Sequence, residues 1–521
     1  MPKFGKKTNY IKFPNFYPHQ KQMYTAGKTL LRKQCGKGWF SIPTGGGKSF
    51  PMYKLILDGF KKGLNVQAML SPKIALNNQH FNMLELLTAF KNENIIPIFF
   101  HTGKIKFLDS TIKFYQTTKP KELHKILSSN KNKNVLIFTT YASDETFLDE
   151  NNGIDLNFNY INEIRKYVKV IHADEFHHFA QQTEENKEFV KNLPGMIFFY
   201  SASIFKGELF SVEDEDLFGK CLCKTTIREL QELGIIVPTF DFKFYHLNNL
   251  KVKKLKQIVK DIAYQKGFDI TLAYKEIALI ISHFNYVYDT AGVCKMLLYT
   301  KDKQYAKLFV DNFDKFRPLL NIKTDPYVAE VFAETSSEDR HEIFENIGQR
   351  DNCIIVNYSV ILEGIDVPSF NSILFGRYMG IIGLQQGSGR GSRTNSDDKQ
   401  LFKDGIYTIN DSDLSTKMIK PAVYYGFGIH GEDVSQDIKN IFKRLINIGV
   451  DLDTILKSIE EEKTKKKLVS DTDEFELGNI VVDPNIVKNA LSEIESEQFE
   501  IEFQSKVNAL DDMKLNTLLT L

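Results

Sequence analysis

Residues 42–49 read Ile-Pro-Thr-Gly-Gly-Gly-Lys-Ser, and this octapeptide constrains the fold more than any other stretch. Three successive glycines allow a tight turn whose backbone N–H groups point inward, with a lysine and a hydroxyl following at once. A strand-like run, Trp39-Phe40-Ser41-Ile42, precedes the turn, and an amphipathic run carrying Tyr53, Leu55, Ile56 and Phe60 follows it. Strand, glycine-rich turn and helix N-terminus in that order make a cradle for polyphosphate. Thr44, Gly45, Gly46 and Gly47 are the expected cradle, Lys48 the reach to β- and γ-phosphates, and Ser49 a Mg²⁺ ligand. One position departs from the generic G-x-x-x-x-G-K-S pattern, where Ile42 stands for the first glycine.

Strand and helix signals alternate through residues 10–420, the mark of an α/β fold with parallel sheets. Apolar runs at 66–70, 135–138, 169–173 and 196–200 read as buried strands. After Gly234-Ile235-Ile236-Val237-Pro238 the pattern restarts, with a helical region over about 251–290 and strands at 295–299, 328–332, 353–357 and 373–375. The expected division is therefore 1–238, 239–420, and a small, mainly helical region 421–521. At 521 residues the chain is too long for one ordinary core. The lysine-rich stretch 101–134 reads as a solvated connecting helix. Trp39, the single tryptophan, reads as core.

A second constellation, His172-Ala173-Asp174-Glu175-Phe176-His177-His178, closes an apolar strand about 125 residues beyond the glycine-rich turn. Adjacent acids at a strand end divide labour readily: Asp174 holds Mg²⁺ and Glu175 orients and deprotonates an attacking water. A third, Gln385-Gln386-Gly387-Ser388-Gly389-Arg390-Gly391-Ser392-Arg393, sets two arginines three apart on a turn or helix start. Arg390 and Arg393 are candidate arginine fingers.

In this order the motifs resemble those of superfamily 2 helicases and translocases of the DExH type, over nearly the whole of residues 16–394. Tyr17-Pro18-His19-Gln20 resembles the glutamine motif, which implies that Gln20 reads adenine. Leu70-Ser71-Pro72-Lys73 and Thr139-Thr140-Tyr141 resemble the loops that track a nucleic-acid backbone, which implicates Pro72, Lys73, Thr139 and Thr140. Ser201-Ala202-Ser203 resembles the Ser-Ala-Thr motif, so that Ser201 and Ser203, with His177, are expected to couple nucleotide state to nucleic acid. Leu362 to Pro368 resembles the motif in which Gly364 and Asp366 approach the nucleotide, and Gln386-x-x-Gly389-Arg390-x-x-Arg393 matches the arginine motif, Gln386 included.

The resemblance implies two tandem RecA-like domains, ATP and Mg²⁺ as cofactors, and hydrolysis coupled to movement on nucleic acid. The Gln-first arginine motif, the Asp-Glu-Phe-His-His spelling and Phe218-Gly219-Lys220 followed by Leu230 to Ile236 resemble the restriction-motor and phage-helicase branch. DNA is accordingly the expected track, with RNA, or a clamp that separates no strands, as alternatives.

Composition adds a few exclusions. The chain holds 42% hydrophobic and 26% charged residues, and no apolar run reaches the roughly 18 residues of a membrane span. An intracellular protein is expected, and a composition rich in Lys, Asn, Ile and Phe hints at an AT-rich viral, phage or plasmid genome. Five scattered cysteines without a C-x-x-C pair exclude a four-cysteine metal site built by this chain alone. The net charge of +1 hides an asymmetry: residues 451–521 carry 17 acidic against 8 basic side chains, leaving +10 on residues 1–450. That acidic tail is a candidate contact for a protein partner. The motif series starts near residue 10, so no nuclease or methyltransferase is expected ahead of it; Asp451 with Glu461-x-Lys463 only loosely resembles a nuclease pattern.

Overall fold

The computed structural model describes residues 11–102, 105, 112–141, 154–155, 158–177, 183–202, 211–248, 250–332, 335–358, 370–411, 413–431, 433–447 and 450. The chain divides into two compact units between Leu230 and Gln231, each an α/β domain with a parallel sheet, as tandem RecA-like domains have.

In the first unit the strands are β1 (Lys37–Ser41), β2 (Val66–Ser71), β3 (Ile96–Phe100), β4 (Tyr115–Gln116), β5 (Val135–Thr140), β8 (Val170–Asp174), β9 (Met196–Ser201) and β10 (Lys220–Lys224). Two short strands, β6 (Ile154–Asp155) and β7 (Phe158–Asn159), pair with each other. The large sheet runs β10-β1-β9-β8-β2-β5-β3-β4 and every pairing in it is parallel. β2, β5 and β9 are buried along their whole length, which is why they read as unbroken apolar runs and not as alternation. Core lies on both faces: Trp39, Ile171 and Phe199 belong to one cluster, Phe40, Met69 and Phe198 to another.

The sheet order sets the chemistry. β1, β9, β8, β2 and β5 are consecutive neighbours, and each leads directly into one of the sequence motifs. Because the strands are parallel and adjacent ones lie about 4.8 Å apart, five motif loops meet on one edge.

The second unit has β11 (Thr239–His246), β12 (Lys295–Tyr299), β13 (Tyr327–Val331), β14 (Cys353–Asn357), β15 (Ser372–Phe375) and β16 (Ala422–Ile429), in the order β11-β16-β15-β12-β14-β13, all parallel. The sequence reading closes this unit at residue 420, but β16 sits inside the sheet between β11 and β15, so the unit extends past that boundary. β16 escapes a reading based on unbroken hydrophobic runs because Gly426 and Gly428 interrupt it. Both glycines are needed for close packing: a Cβ on Gly426 would lie 2.7 Å from His283 and from Leu374. The helix Val434–Asn447 follows, and residues 451–521, with the acidic tail, lie outside the described residues. Among the described residues of stretch 101–134, β4 is followed by a ten-residue helix, Pro120–Ser129.

The arginine motif forms the end of a helix, Ile381–Gly391, and not a flexible loop. Its glycines permit close approach to the sheet. A Cβ on Gly387 would lie 2.9 Å from Phe375, and one on Gly391 would lie 2.6 Å from Val423 and 2.8 Å from Ile373. Gly391→Val should therefore destabilise the second unit by about 1–3 kcal/mol through overpacking. Gly348→Ala, with open space at its Cβ on the helix Ser337–Gln349, should be neutral or stabilising by up to about 1 kcal/mol. Urea unfolding of the two variants checks the contrast.

Candidate functional site

The glycine-rich turn leaves β1 and enters the helix Ser49–Lys61 with Lys48 at its N-cap and Ser49 as its first residue. Gly45 and Gly47 take φ of 89° and 75°, the left-handed region that favours glycine. A side chain on Gly47 would also strike Gln20, whose Nε2 would lie 2.5 Å from the added Cβ. Gln20 donates from Nε2 to the Gly47 carbonyl at 2.8 Å and accepts from the Tyr17 N–H at 3.0 Å. His19 bonds the neighbouring Gly46 carbonyl at 2.7 Å. The glutamine motif thus fastens the loop from outside. One N–H and one lone pair of the Gln20 amide are still to spare, the pair a purine edge requires.

Lys48 is clamped between the two acids at the end of β8. Its Nζ lies 3.2 Å from Asp174 Oδ1 and is ion-paired with Glu175 Oε1. Burial lowers the Lys48 pKa, but the two carboxylates outweigh it and leave it raised. Burial conversely raises both carboxyls, and the Lys48 ammonium together with His80 at Asp174 and His177 at Glu175 outweighs it, so that Asp174 and Glu175 ionise below their ordinary range. Glu175 stands at φ 52°, a left-handed conformation that costs a non-glycine residue about 1–2 kcal/mol. Such strain is typical of a side chain aimed by its surroundings.

His177 follows on the same turn. Its Nδ1 lies 2.9 Å from Ser201 Oγ and 3.2 Å from Glu175 Oε2. His177 and Ser201, the expected coupling residues, are thus in contact and join the end of β9 to the turn after β8. The Ser201 carbonyl accepts from the Ile42 N–H at 3.0 Å, tying this edge to the glycine-rich turn as well. Ser203 and His178 lie outside the described residues.

Pro72 is partly exposed and Lys73 is exposed. Thr139 and Thr140 are buried, 3% and 6% exposed. Asn77 joins the two loops, accepting from the Ser71 hydroxyl at 2.7 Å and donating to the Thr139 carbonyl at 2.9 Å. The contact to a polynucleotide expected of these four residues is carried below as a proposal.

In the second unit Arg390 is 8% exposed. Arg393 follows the helix and is held from its backbone: Val237 N–H donates to Ser392 O at 2.8 Å, Thr394 N–H to Ile235 O at 3.3 Å, and Lys420 Nζ to Arg393 O at 2.8 Å. Burial lowers the pKa of Arg393, and burial with the nearby Arg393 charge lowers that of Lys420 to about 7. The backbone of Gln386 lies on the same helix. Gly364 and Asp366 lie outside the described residues.

Residues with no motif signal complete the first unit's site. His80, on the helix Ile74–Leu86, reaches Asp174 Oδ2 at 2.9 Å and Tyr53 Oη at 2.7 Å. Tyr141 donates to the Asp174 carbonyl at 2.6 Å. Long separation hides them: His80 and Asp174 are 94 residues apart, and only the fold joins their helix and strand. The one available hint is Tyr53, a single helical turn after Ser49.

The donor set suits a Mg²⁺-polyphosphate. Asp174 Oδ1 is buried with Lys48 as its partner, and with the Ser49 hydroxyl it offers the few hard oxygens that Mg²⁺ takes when it keeps most of its water. Among the described residues no three His, Cys, Asp or Glu side chains form a metal cage, and no helix is long and apolar enough to cross a membrane.

The ion pairs fix a pH dependence. Carboxyls with depressed native pKa stabilise the fold above their unfolded values near pH 4, and that contribution is lost as pH falls through the native ones. Lys48→Ala leaves Asp174 buried without its cation, which should cost about 3–5 kcal/mol at pH 7. Protonation relieves that charge, so the gap to wild type should narrow from pH 7 to pH 4. Urea denaturation across this range checks the sign, and a constant gap contradicts it.

Residues 13–202 match the family described as type III restriction enzyme, res subunit. No curated protein matches the chain in sequence. Among solved structures, the chain is similar to the ATP-dependent Type ISP restriction-modification enzyme LlaBIII bound to DNA, at 15% identity and a TM-score of 0.56, covering 89% of this chain and 35% of that one. It is also similar to a nuclease-deletion mutant of the Type ISP enzyme LlaGI in complex with a DNA substrate mimic, at 13% identity and a TM-score of 0.52, covering 88% and 32%. The chain spans about a third of the length of each of these two. At such identities the likeness is one of fold, the tandem RecA-like pair. Over residues 13–202, the chain is similar to the family described as type III restriction enzyme, res subunit.

Proposed function

We propose that the chain is a nucleic-acid-stimulated ATPase that translocates on or unwinds DNA. The observation that carries this reading is the Lys48–Asp174–Glu175 cluster, set where five motif loops share one sheet edge. DNA is favoured over RNA because the matched family is a restriction subunit and both similar structures are described with DNA or a DNA mimic.

In this reading the turn Thr44–Gly47 cradles the phosphates, Gln20 reads the adenine edge, and Ser49 with Asp174 holds Mg²⁺. The ion supplies charge neutralisation across the β- and γ-phosphates. Lys48 exchanges its carboxylate partners for phosphate oxygens. Glu175 thereby loses the ammonium that depresses its pKa and becomes a stronger base, kept in place by His177 for the attacking water. The arginine motif of the second unit, Gln386 with Arg390 and Arg393, offers charge to the transferring phosphoryl group, and Gly364 and Asp366 approach the nucleotide from the same unit. Hydrolysis then switches the pair of domains between two states, and Ser201 and Ser203 pass that switch to loops bearing Pro72, Lys73, Thr139 and Thr140 along the DNA backbone.

Steady-state ATP hydrolysis with single-stranded, duplex and branched DNA and matched RNAs tests the proposal. Wild type should be stimulated most by one DNA form, and Glu175→Gln should lose turnover while still binding ATP. Arg390→Ala should lower kcat by about 10³–10⁵ with ATP affinity little changed. Stimulation by RNA alone overturns the DNA assignment. Hydrolysis that accelerates with DNA but separates no strands and moves along none favours a clamp.

A further inference from the structure

Tyr53 and His80 form a buried polar chain with Asp174, and the hydrolytic chemistry above uses neither of these two residues. Tyr53, His80 and Asp174 are 2%, 2% and 1% exposed. Tyr53 sits one turn after Ser49 on the helix Ser49–Lys61. His80 comes from a different helix and Asp174 from β8, so that the contacts Tyr53–His80 and His80–Asp174 join three elements, the first of which begins at Ser49.

Its direction follows from chemistry. An ionised carboxylate only accepts, so His80 Nε2 carries the proton shared with Asp174 Oδ2. In the neutral ring Nδ1 then accepts from the Tyr53 hydroxyl. Donation runs Tyr53 to His80 to Asp174. This occupies Oδ2 and leaves Oδ1 as the oxygen facing Lys48. A Phe and a Leu would fill the same volume without desolvating a hydroxyl and an imidazole. The polar pair instead ends on Asp174 and starts on the helix whose first residue is Ser49, the two side chains assigned to the metal.

We infer that His80 and Tyr53 are positioning residues that orient the Asp174 carboxylate and hold it in register with Ser49, presetting the two protein oxygens offered to Mg²⁺. This rests on the ATPase reading, and the experiment separates the two. Fluorescent ATP-analogue binding is measured without turnover, first with no metal and then titrated with Mg²⁺, for wild type, His80→Ala, His80→Gln and Tyr53→Phe. Outer partners of metal ligands typically set affinity by about 10–100-fold. His80→Ala should raise the Mg²⁺ midpoint by that factor while metal-free nucleotide affinity stays at the wild-type value. His80→Gln, which restores an N–H donor toward Asp174, should recover most of the loss. Tyr53→Phe, the variant that perturbs packing least, should shift the midpoint in the same direction by a smaller factor. Equal Mg²⁺ midpoints in wild type and in folded Tyr53→Phe and His80→Gln, with metal-free and metal-bound affinity falling together in His80→Ala, overturn the inference and leave the ATPase reading intact. A wild type that binds no nucleotide overturns both.

Discussion

One buried ammonium holds the candidate site together. Lys48 lies between Asp174 and Glu175, two carboxylates that are adjacent in sequence and would otherwise repel at the end of a buried strand. Without the cation, burial favours protonated carboxyls; with it, both stay ionised. Much of the surrounding structure serves that clamp. The glycine-rich turn delivers Lys48, β8 delivers the acids, His177 and Ser201 brace Glu175 from β9, and His80 braces Asp174 from the helix after β2. In the proposed ATPase, a nucleotide-binding lysine clamped by its own metal ligand and base is a poised arrangement. Phosphate and Mg²⁺ together can replace both ion pairs, which gives binding an electrostatic consequence at Glu175.

The parallel sheet explains how motifs spread over about 150 residues become one site. A parallel sheet directs every strand's C-terminal end to the same edge. The order β1-β9-β8-β2-β5 then sets the phosphate turn beside the serine motif, that motif beside the acids, and the acids beside the two loops assigned to nucleic acid. Coupling needs no long-range wire here. The Ser201 carbonyl holds the glycine-rich turn through Ile42, and its side chain touches His177.

The parts legible in the sequence were those with short-range signatures. The glycine-rich turn, the acidic pair and the buried strands all declare themselves within about ten residues, because one backbone requirement or one unbroken apolar run fixes each. β16 did not, since glycines demanded by His283 and Leu374 broke its hydrophobic run. The arginine motif was legible only as a turn or helix start: Gly387 and Gly391 look like loop residues until the sheet they pack against is known, and they close a helix. His80 had no signature at all and Tyr53 only its place one helical turn after Ser49, because their partners come from elements joined only by tertiary packing. Local physics marked the reacting groups, and tertiary physics supplied the groups that aim them.

The central claim is that Lys48 is shared between two carboxylates and a bound nucleotide. A structure determined with a non-hydrolysable ATP analogue, Mg²⁺ and duplex DNA tests it directly. The account predicts that Lys48 Nζ leaves Glu175 for phosphate oxygens, that Asp174 keeps its bond to His80, and that Mg²⁺ lies between Ser49 and Asp174. A nucleotide bound with Lys48 still paired to both acids, or bound away from the glycine-rich turn, would contradict it.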